Sequence, residues 1–132
     1  MIRIDLEFAT TPERGAPLGD IAATLVSVND LLRDLAAIIA APSGPEYREI
    51  QVVAIDMHSP LTITLSLLGI ADEAVKAFQE ICRDVIVNRE RPRDVEAFVQ
   101  TALTDAEAAR LRGHIATLQN ADVPLQRVSV KS

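Results

Sequence analysis

The sequence predicts an α+β domain, a four-stranded antiparallel sheet with helices on one face, in the split βαβ plan of the ferredoxin-like folds. Two observations predict it. Apolar and polar residues alternate near both ends of the chain and around 47–67, which indicates half-buried strands. Between them, apolar residues recur three and four positions apart, which indicates amphipathic helices. The resulting order is β-α-β-β-α-α-α-β, and we expect residues 1–132 to form one domain.

The first half of the chain supplies a strand and a long helix. Residues 2–8 alternate apolar and charged side chains and predict the first strand. Two prolines and a glycine in 10–17 predict a loop, and Pro42-Ser-Gly-Pro45 ends the helix that follows. The helix is predicted from one apolar stripe: Leu18, Ile21, Leu25, Val28, Leu32, Leu35 and Ile39.

A hairpin occupies the middle of the chain. The second strand is predicted from Tyr47 to Met57, with a bulge because Val52 and Val53 are adjacent. His58-Ser-Pro60 connects it to the third strand, since proline fits a turn or a strand's first residue. The third strand places two sets of side chains on opposite faces: Leu61, Ile63, Leu65 and Leu67 on one, and Thr62, Thr64 and Ser66 on the other.

Three helices and a last strand are predicted after Gly69. The first carries Val75, Phe78, Ile81 and Val85 on one face, the second is short and spans Asp94 to Leu103, and the third begins with a capping box, Thr104-Asp-Ala-Glu107. The last strand covers 123–130, with a phase slip near Gln126 and Arg127. The expected core contains Ile4, Leu6, Leu25, Val28, Leu32, Ile63, Leu65, Phe78 and Ile81.

Composition narrows the function. Hydrophobic residues make up 48% of the chain, which favours a folded domain, and the net charge of −6 opposes general binding to nucleic acids or anionic membranes. The sheet face without helices, called here the open face, carries Arg3, Asp5, Glu7 and the set Thr62, Thr64 and Ser66, called here the Thr/Ser row. It has no aromatic ring on which an RNA base could stack, so RNA binding is also disfavoured. A single cysteine, no signal-like start and no long apolar run predict a cytoplasmic protein.

The sequence offers little for catalysis or cofactors. His58, Cys82 and His114 are its only imidazole and thiol groups, and none has a partner at metal-ligand spacing. We expect His58 in a turn, Cys82 in the core and His114 exposed on a helix. No phosphate-binding glycine loop occurs. The prediction is therefore a protein that is not an enzyme and has no catalytic, metal or cofactor-binding residues.

A resemblance to a known family predicts a class of function. The stretch 58–85, HSPLTITLSLLGIADEAVKAFQEICRDV, and the end, ADVPLQRVSVKS, resemble the TRADD N-terminal-like (TRADD-N) adaptor domains of prokaryotic type. The shared pattern is Ser59-Pro60, an alternating strand, a helix with Phe78 near its middle, and the VPLQ entry to the last strand. The resemblance implies an adaptor domain in immunity or cell-death signalling, with a protein partner and no active site.

The predicted contact surface lies along one sheet edge. The second and last strands are expected at the edges, and Ile50 to Ile55 carries no charge that would block strand addition. The basic region 83–93 allows two interpretations, a solvated helix end or a patch for an acidic partner. The predicted interaction residues are Gln51, Val53, Thr62, Thr64, Ser66, Arg89 and Arg91. The partner is an effector protein or a second copy; the alternative function is a ferredoxin-like small-ligand-binding regulatory domain.

Overall fold

The fold is taken from a computed structural model that describes residues 2–10, 17–40, 49–56, 60–70, 72–87 and 104–131, with backbone only for 38–40 and 87. Four strands form one sheet: β1 (Ile2–Phe8), β2 (Glu49–Asp56), β3 (Thr62–Leu68) and β4 (Leu125–Lys131). Their order is β2-β3-β1-β4, and every neighbouring pair is antiparallel. The predicted α+β class and four-stranded antiparallel sheet are confirmed. β2 and β4 are the edges, as expected.

Three helices are described: α1 (Leu18–Ala40), α2 (Asp72–Val87) and α3 (Asp105–Gln119). The predicted helix from Asp94 to Leu103 lies outside the described residues. Thr104 is confirmed as the N-cap of α3, where the Glu107 backbone N–H donates to Thr104 Oγ1 at 3.2 Å. That bond satisfies one of the amide groups that the first helical turn leaves without a partner.

An apolar core lies between the sheet and the described helices. All the predicted core residues are buried except Leu25, which is half-buried and packs against the core. The stripe on α1 begins one turn later than predicted, because Leu18 is 82% exposed and Ile21 is the first buried member. Burial of this many aliphatic groups is the main source of stability.

Two irregularities in the sheet match the predicted ones. The β2–β3 register shifts between Val52 and Ala54, so Val53 is the extra residue of a bulge. The β1–β4 register shifts where Glu7 lies opposite Arg127 and Phe8 opposite Leu125, so Gln126 is skipped. At the end of β3, Gly69 has φ 74°, a left-handed conformation that glycine adopts without a steric penalty.

Candidate interaction surface

β2 is an edge strand with exposed side chains. It pairs with β3, and no described strand lies on its other side. Gln51 and Val53, both predicted to contact a partner, are exposed. The bulge leaves Val53 out of the pairing with β3, and its side chain is 44% exposed. The structure thus places these two predicted residues at an accessible edge.

The described helices leave the core side of β2 largely uncovered. Val52 and Ile55 lie opposite the buried residues Leu65 and Ile63, so all four belong to the core side of the sheet. Val52 is nevertheless 52% exposed and Ile55 is 56% exposed. Large apolar side chains left uncovered on an edge strand are typical of a contact site. Sequence alternation finds the strand face but does not show how far the helices extend over it.

The Thr/Ser row is less accessible than predicted. Thr62 and Thr64 are half-buried, and the expectation that Ser66 is exposed is wrong, because only 4% of Ser66 is exposed. The register places Ser66 between Arg3 of β1 and Gln51 of β2. Cross-strand neighbours have Cβ atoms about 4.5–5.5 Å apart, so the longer side chains cover the short serine. The accessible part of the predicted surface is therefore the β2 edge.

A charged network joins three strands on the open face. Thr64 Oγ1 donates to Asp5 Oδ1 at 2.6 Å, and Lys131 Nζ lies 2.8 Å from Asp5 Oδ2. The hydrogen bond from Lys131, followed by the one from Thr64, holds the pKa of Asp5 below its usual value, because both stabilise the carboxylate. Both carboxylate oxygens of Asp5 have protein partners. This part of the face links β3, β1 and β4.

A basic groove lies at the opposite edge of the sheet. The predicted basic residues Arg89 and Arg91 fall outside the described residues. The groove between α2 and β4, called here the α2–β4 groove, has a volume of about 340 Å³. It is lined by Lys76, Gln79, Glu80, Arg83 and Ile86 of α2 and by Gln126, Arg127 and Val128 of β4. A smaller cleft of about 170 Å³ adjoins it, and Lys76 and Gln79 line both.

Sequence reasoning missed this groove because two distant segments form it. Lys76 and Arg83 are seven residues apart, two helical turns, and so lie on the same side of α2. That spacing was a readable signal for a basic helix face. Arg127 completes the cluster from β4, and only the packing of α2 beside β4 brings the three cations into one groove.

The thiol and the described imidazole are both structural. Cys82 is buried as predicted, and its burial raises the pKa of the thiol, so it stays protonated and unreactive. His114 is half-buried and not exposed as predicted, because its Nε2 lies 3.0 Å from Asp34 Oδ2 across the α1–α3 contact. Arg110 Nε lies 3.7 Å from the same oxygen. His58 lies outside the described residues, among which no three potential metal ligands cluster.

Comparison with known proteins leaves the family open. No protein-family model matches the chain, and neither a curated protein nor a solved structure matches it. The resemblance to TRADD-N domains therefore stays a prediction. Among the described helices, none combines the length and the apolar character needed to cross a membrane.

Proposed function

We propose that this chain is a non-enzymatic protein–protein interaction domain, an adaptor of the TRADD-N type, whose contact surface is the β2 edge. One observation carries the proposal. From Ile50 to Ile55 the strand has no charged residue, and Val52, Val53 and Ile55 are between 44% and 56% exposed. A partner strand added here gains main-chain hydrogen bonds and covers these side chains.

The strand order supports an interaction role at the sheet edges. β1 and β3 are the central strands, and β2 and β4 are the edges. On the helical side, α3 packs against α1 and α2. The described helices leave Val52 and Ile55 of β2 exposed, which favours recognition at that strand.

The chemistry of the described side chains also favours binding over catalysis. A nucleophile needs a neighbouring base or a lowered pKa, and burial moves the pKa of Cys82 in the opposite direction. His114 and Asp34 are engaged with each other between two helices. Asp5, on the open face, is held by Thr64 and Lys131. Each of these groups has a structural role that accounts for its position.

The proposal is tested by placing charge on the β2 edge. Gln51→Lys and Val53→Lys together add two cations at exposed positions, so the fold should persist while association with a second copy or an effector is lost. Ala116→Lys, on the exposed side of α3, is the matched control and should associate like the parent. Light scattering reports self-association and pulldown from the native host reports an effector. Unchanged association of the double variant in both assays would contradict the proposal.

The α2–β4 groove favours a second function, binding of a small anionic ligand by a regulatory domain. Lys76, Arg83 and Arg127 line one space of about 340 Å³, a volume within the range of small-molecule sites. A ligand that binds only the folded state raises the melting temperature, so a panel of anionic metabolites tests this function. Loss of any shift in Arg83→Gln would place the ligand in the groove. No shift with any compound in the parent would remove this candidate.

A further inference from the structure

The two edges of the sheet carry opposite charge. β2 contains two carboxylates, Glu49 and Asp56, and no cation, whereas β4 contains Arg127 and Lys131 and no carboxylate of its own. Of these two cations, Lys131 is paired with Asp5 of β1. Pairing β2 with the β2 strand of a second copy would bring together two edges of the same sign. Pairing β2 with β4 of a second copy joins edges of opposite sign, which favours that encounter and opposes the symmetric one.

Strand directions also favour contact between unlike edges. β1 is antiparallel to β3 and to β4, and β3 is antiparallel to β2, so β4 runs antiparallel to β2. A second copy moved sideways, without being turned over, therefore presents its β2 antiparallel to β4. The antiparallel order of the strands then continues from the sheet of one copy into the sheet of the next. The helices of both copies lie on the same side of this joined sheet.

The helical cover is complementary at the two edges. α2 lies beside β4 and forms the α2–β4 groove with it, so the core side of β4 has a helical wall. The core side of β2 has exposed Val52 and Ile55. A β2 strand placed against β4 would bring these side chains beside the apolar groove residues Ile86 and Val128. Lys76, Glu80 and Arg83 line the same groove on the helical side, whereas Asp56 of β2 lies on the open side of the sheet.

We propose that the partner of the β2 edge is the β4 edge of a second copy of this chain, so that copies join head to tail into a continuous antiparallel sheet. The inference rests on the proposed interaction function of β2 and names its partner. Unlike a two-fold contact, this contact leaves one β2 and one β4 edge unused at the two ends of every dimer. Further copies can add, which gives open chains or rings with no dimeric end point.

One register satisfies charge and burial together. When Asp56 lies opposite Arg127, each residue of β2 is aligned with a residue of β4 whose side chain lies on the same face of the sheet. This alignment requires that Val53 stay unpaired, as it is in the β2–β3 pairing. The aligned pairs, β2 residue first, are Asp56–Arg127, Ile55–Val128, Ala54–Ser129, Val52–Val130 and Gln51–Lys131. The apolar pairs lie on the core side and the polar pairs on the open side, so a shift by one residue would mix the two.

Complementation between two blocked variants tests the proposal. Ile55→Lys blocks the β2 edge and leaves β4 intact, whereas Arg127→Glu blocks β4 and leaves β2 intact; both positions are exposed. Each variant of the 132-residue chain alone should lose all species above 14.3 kDa in light scattering. Mixed in equal amounts, they should form a dimer and nothing larger, because only one working β2 and one working β4 remain. Arg83→Glu is a second β4-side variant, and Ala116→Lys is the control that should assemble like the parent.

Each other outcome overturns the head-to-tail contact and separates it from the proposed function. If Arg127→Glu and Arg83→Glu, shown to be folded by circular dichroism, assemble like the parent while Ile55→Lys does not, β2 pairs with β2 and the interaction function stands. If the parent is a monomer at every concentration, the second copy is excluded, and the pulldown with the β2 variant then decides the proposed function independently. A mixture that stays monomeric also overturns the proposal.

Discussion

Lys131 Nζ lies 2.8 Å from Asp5 Oδ2, so the last residue of β4 is bound to the middle of β1 on the open face. Lys131 lies opposite Arg3 in the strand register, which would place two cations side by side. Its contact with Asp5, two residues along β1 from Arg3, relieves this repulsion because the ammonium group points towards a carboxylate. The ion pair thus helps to hold the edge strand in register.

The first prediction concerns the acid stability that Asp5 contributes. Its folded-state pKa lies below 3.8, its usual value, so the unfolded chain takes up a proton first as the pH falls. The contribution is therefore complete above pH 3.8 and is lost as the pH falls through the lower, folded-state pKa. Asp5→Asn should lower the unfolding free energy near neutral pH, because it removes the charge that both Lys131 and Thr64 bond to. The contribution of Lys131 to this loss is under about 1 kcal/mol, because Lys131 is largely exposed.

Urea unfolding at a series of pH values measures this effect. Asp5→Asn should show a shallower loss of unfolding free energy than the parent below pH 3.8, since the titrating group is gone. Lys131→Arg should behave like the parent because it keeps a cation within reach of Asp5. If the unfolding free energy of Asp5→Asn and of the parent fell equally steeply with pH below 3.8, the contact between Asp5 and Lys131 would not persist in solution.

The second prediction compares two apolar residues that lie opposite each other. Leu65 on β3 is buried and Val52 on β2 is half-exposed, although both face the core side of the sheet. Leu65→Ala should reduce the unfolding free energy by about 2–5 kcal/mol, because it leaves a cavity. Val52→Ala should cost under about 0.5 kcal/mol, as at a surface position. Similar costs at the two positions, measured by urea unfolding, would mean that a helix or a second copy covers β2.

The contrast between Leu65 and Val52 shows which features of the sheet the sequence predicts and which it does not. The alternation of apolar and polar residues assigns both residues to strands. The adjacent Val52 and Val53 predict the bulge, because side chains alternate between the two faces of a strand and two neighbouring apolar residues interrupt that alternation. Alternation does not say which strand lies under a helix. Likewise, the burial of Ser66 depends on Arg3 and Gln51, neighbours that only the strand register brings beside it.

The third prediction concerns the reactivity of Cys82. The side chain is buried in the core and burial raises the pKa of its thiol, so little nucleophilic thiolate forms at neutral pH. A thiol-specific reagent should leave the folded protein unmodified for as long as it stays folded and should modify one thiol per chain in denaturant. Mass spectrometry of the two samples measures this. Rapid modification under native conditions would show that the core around α2 opens.

The fourth prediction concerns the start of α3. Thr104 Oγ1 accepts the Glu107 backbone N–H at 3.2 Å, so Thr104→Ala should reduce the unfolding free energy by about 1 kcal/mol. Thr104→Ser keeps the hydroxyl and should restore most of this loss. Thermal or urea unfolding of the pair gives the values. Equal stability of the serine and alanine variants would show that the hydroxyl does not cap the helix.

The last prediction separates a contact residue from a structural one within the predicted surface. Gln51 is exposed on the β2 edge, whereas Thr64 is half-buried and donates to Asp5 Oδ1 at 2.6 Å. Gln51→Lys should leave the unfolding free energy within about 0.5 kcal/mol of the parent and weaken association, because it places charge on the edge.

Thr64→Lys should instead lower stability, since it removes a hydrogen bond to a charged group, worth about 1.5–3 kcal/mol, and crowds a second ammonium group against Asp5 and Lys131. Thr64→Ser retains the hydroxyl and serves as its control. Unfolding free energy and association are measured on the same samples, so that a loss of binding in Thr64→Lys is not mistaken for a lost contact. If Thr64→Lys proved as stable as Gln51→Lys, the Thr64–Asp5 bond would have no structural role. The Thr/Ser row would then be a candidate part of the contact surface, as the sequence predicts.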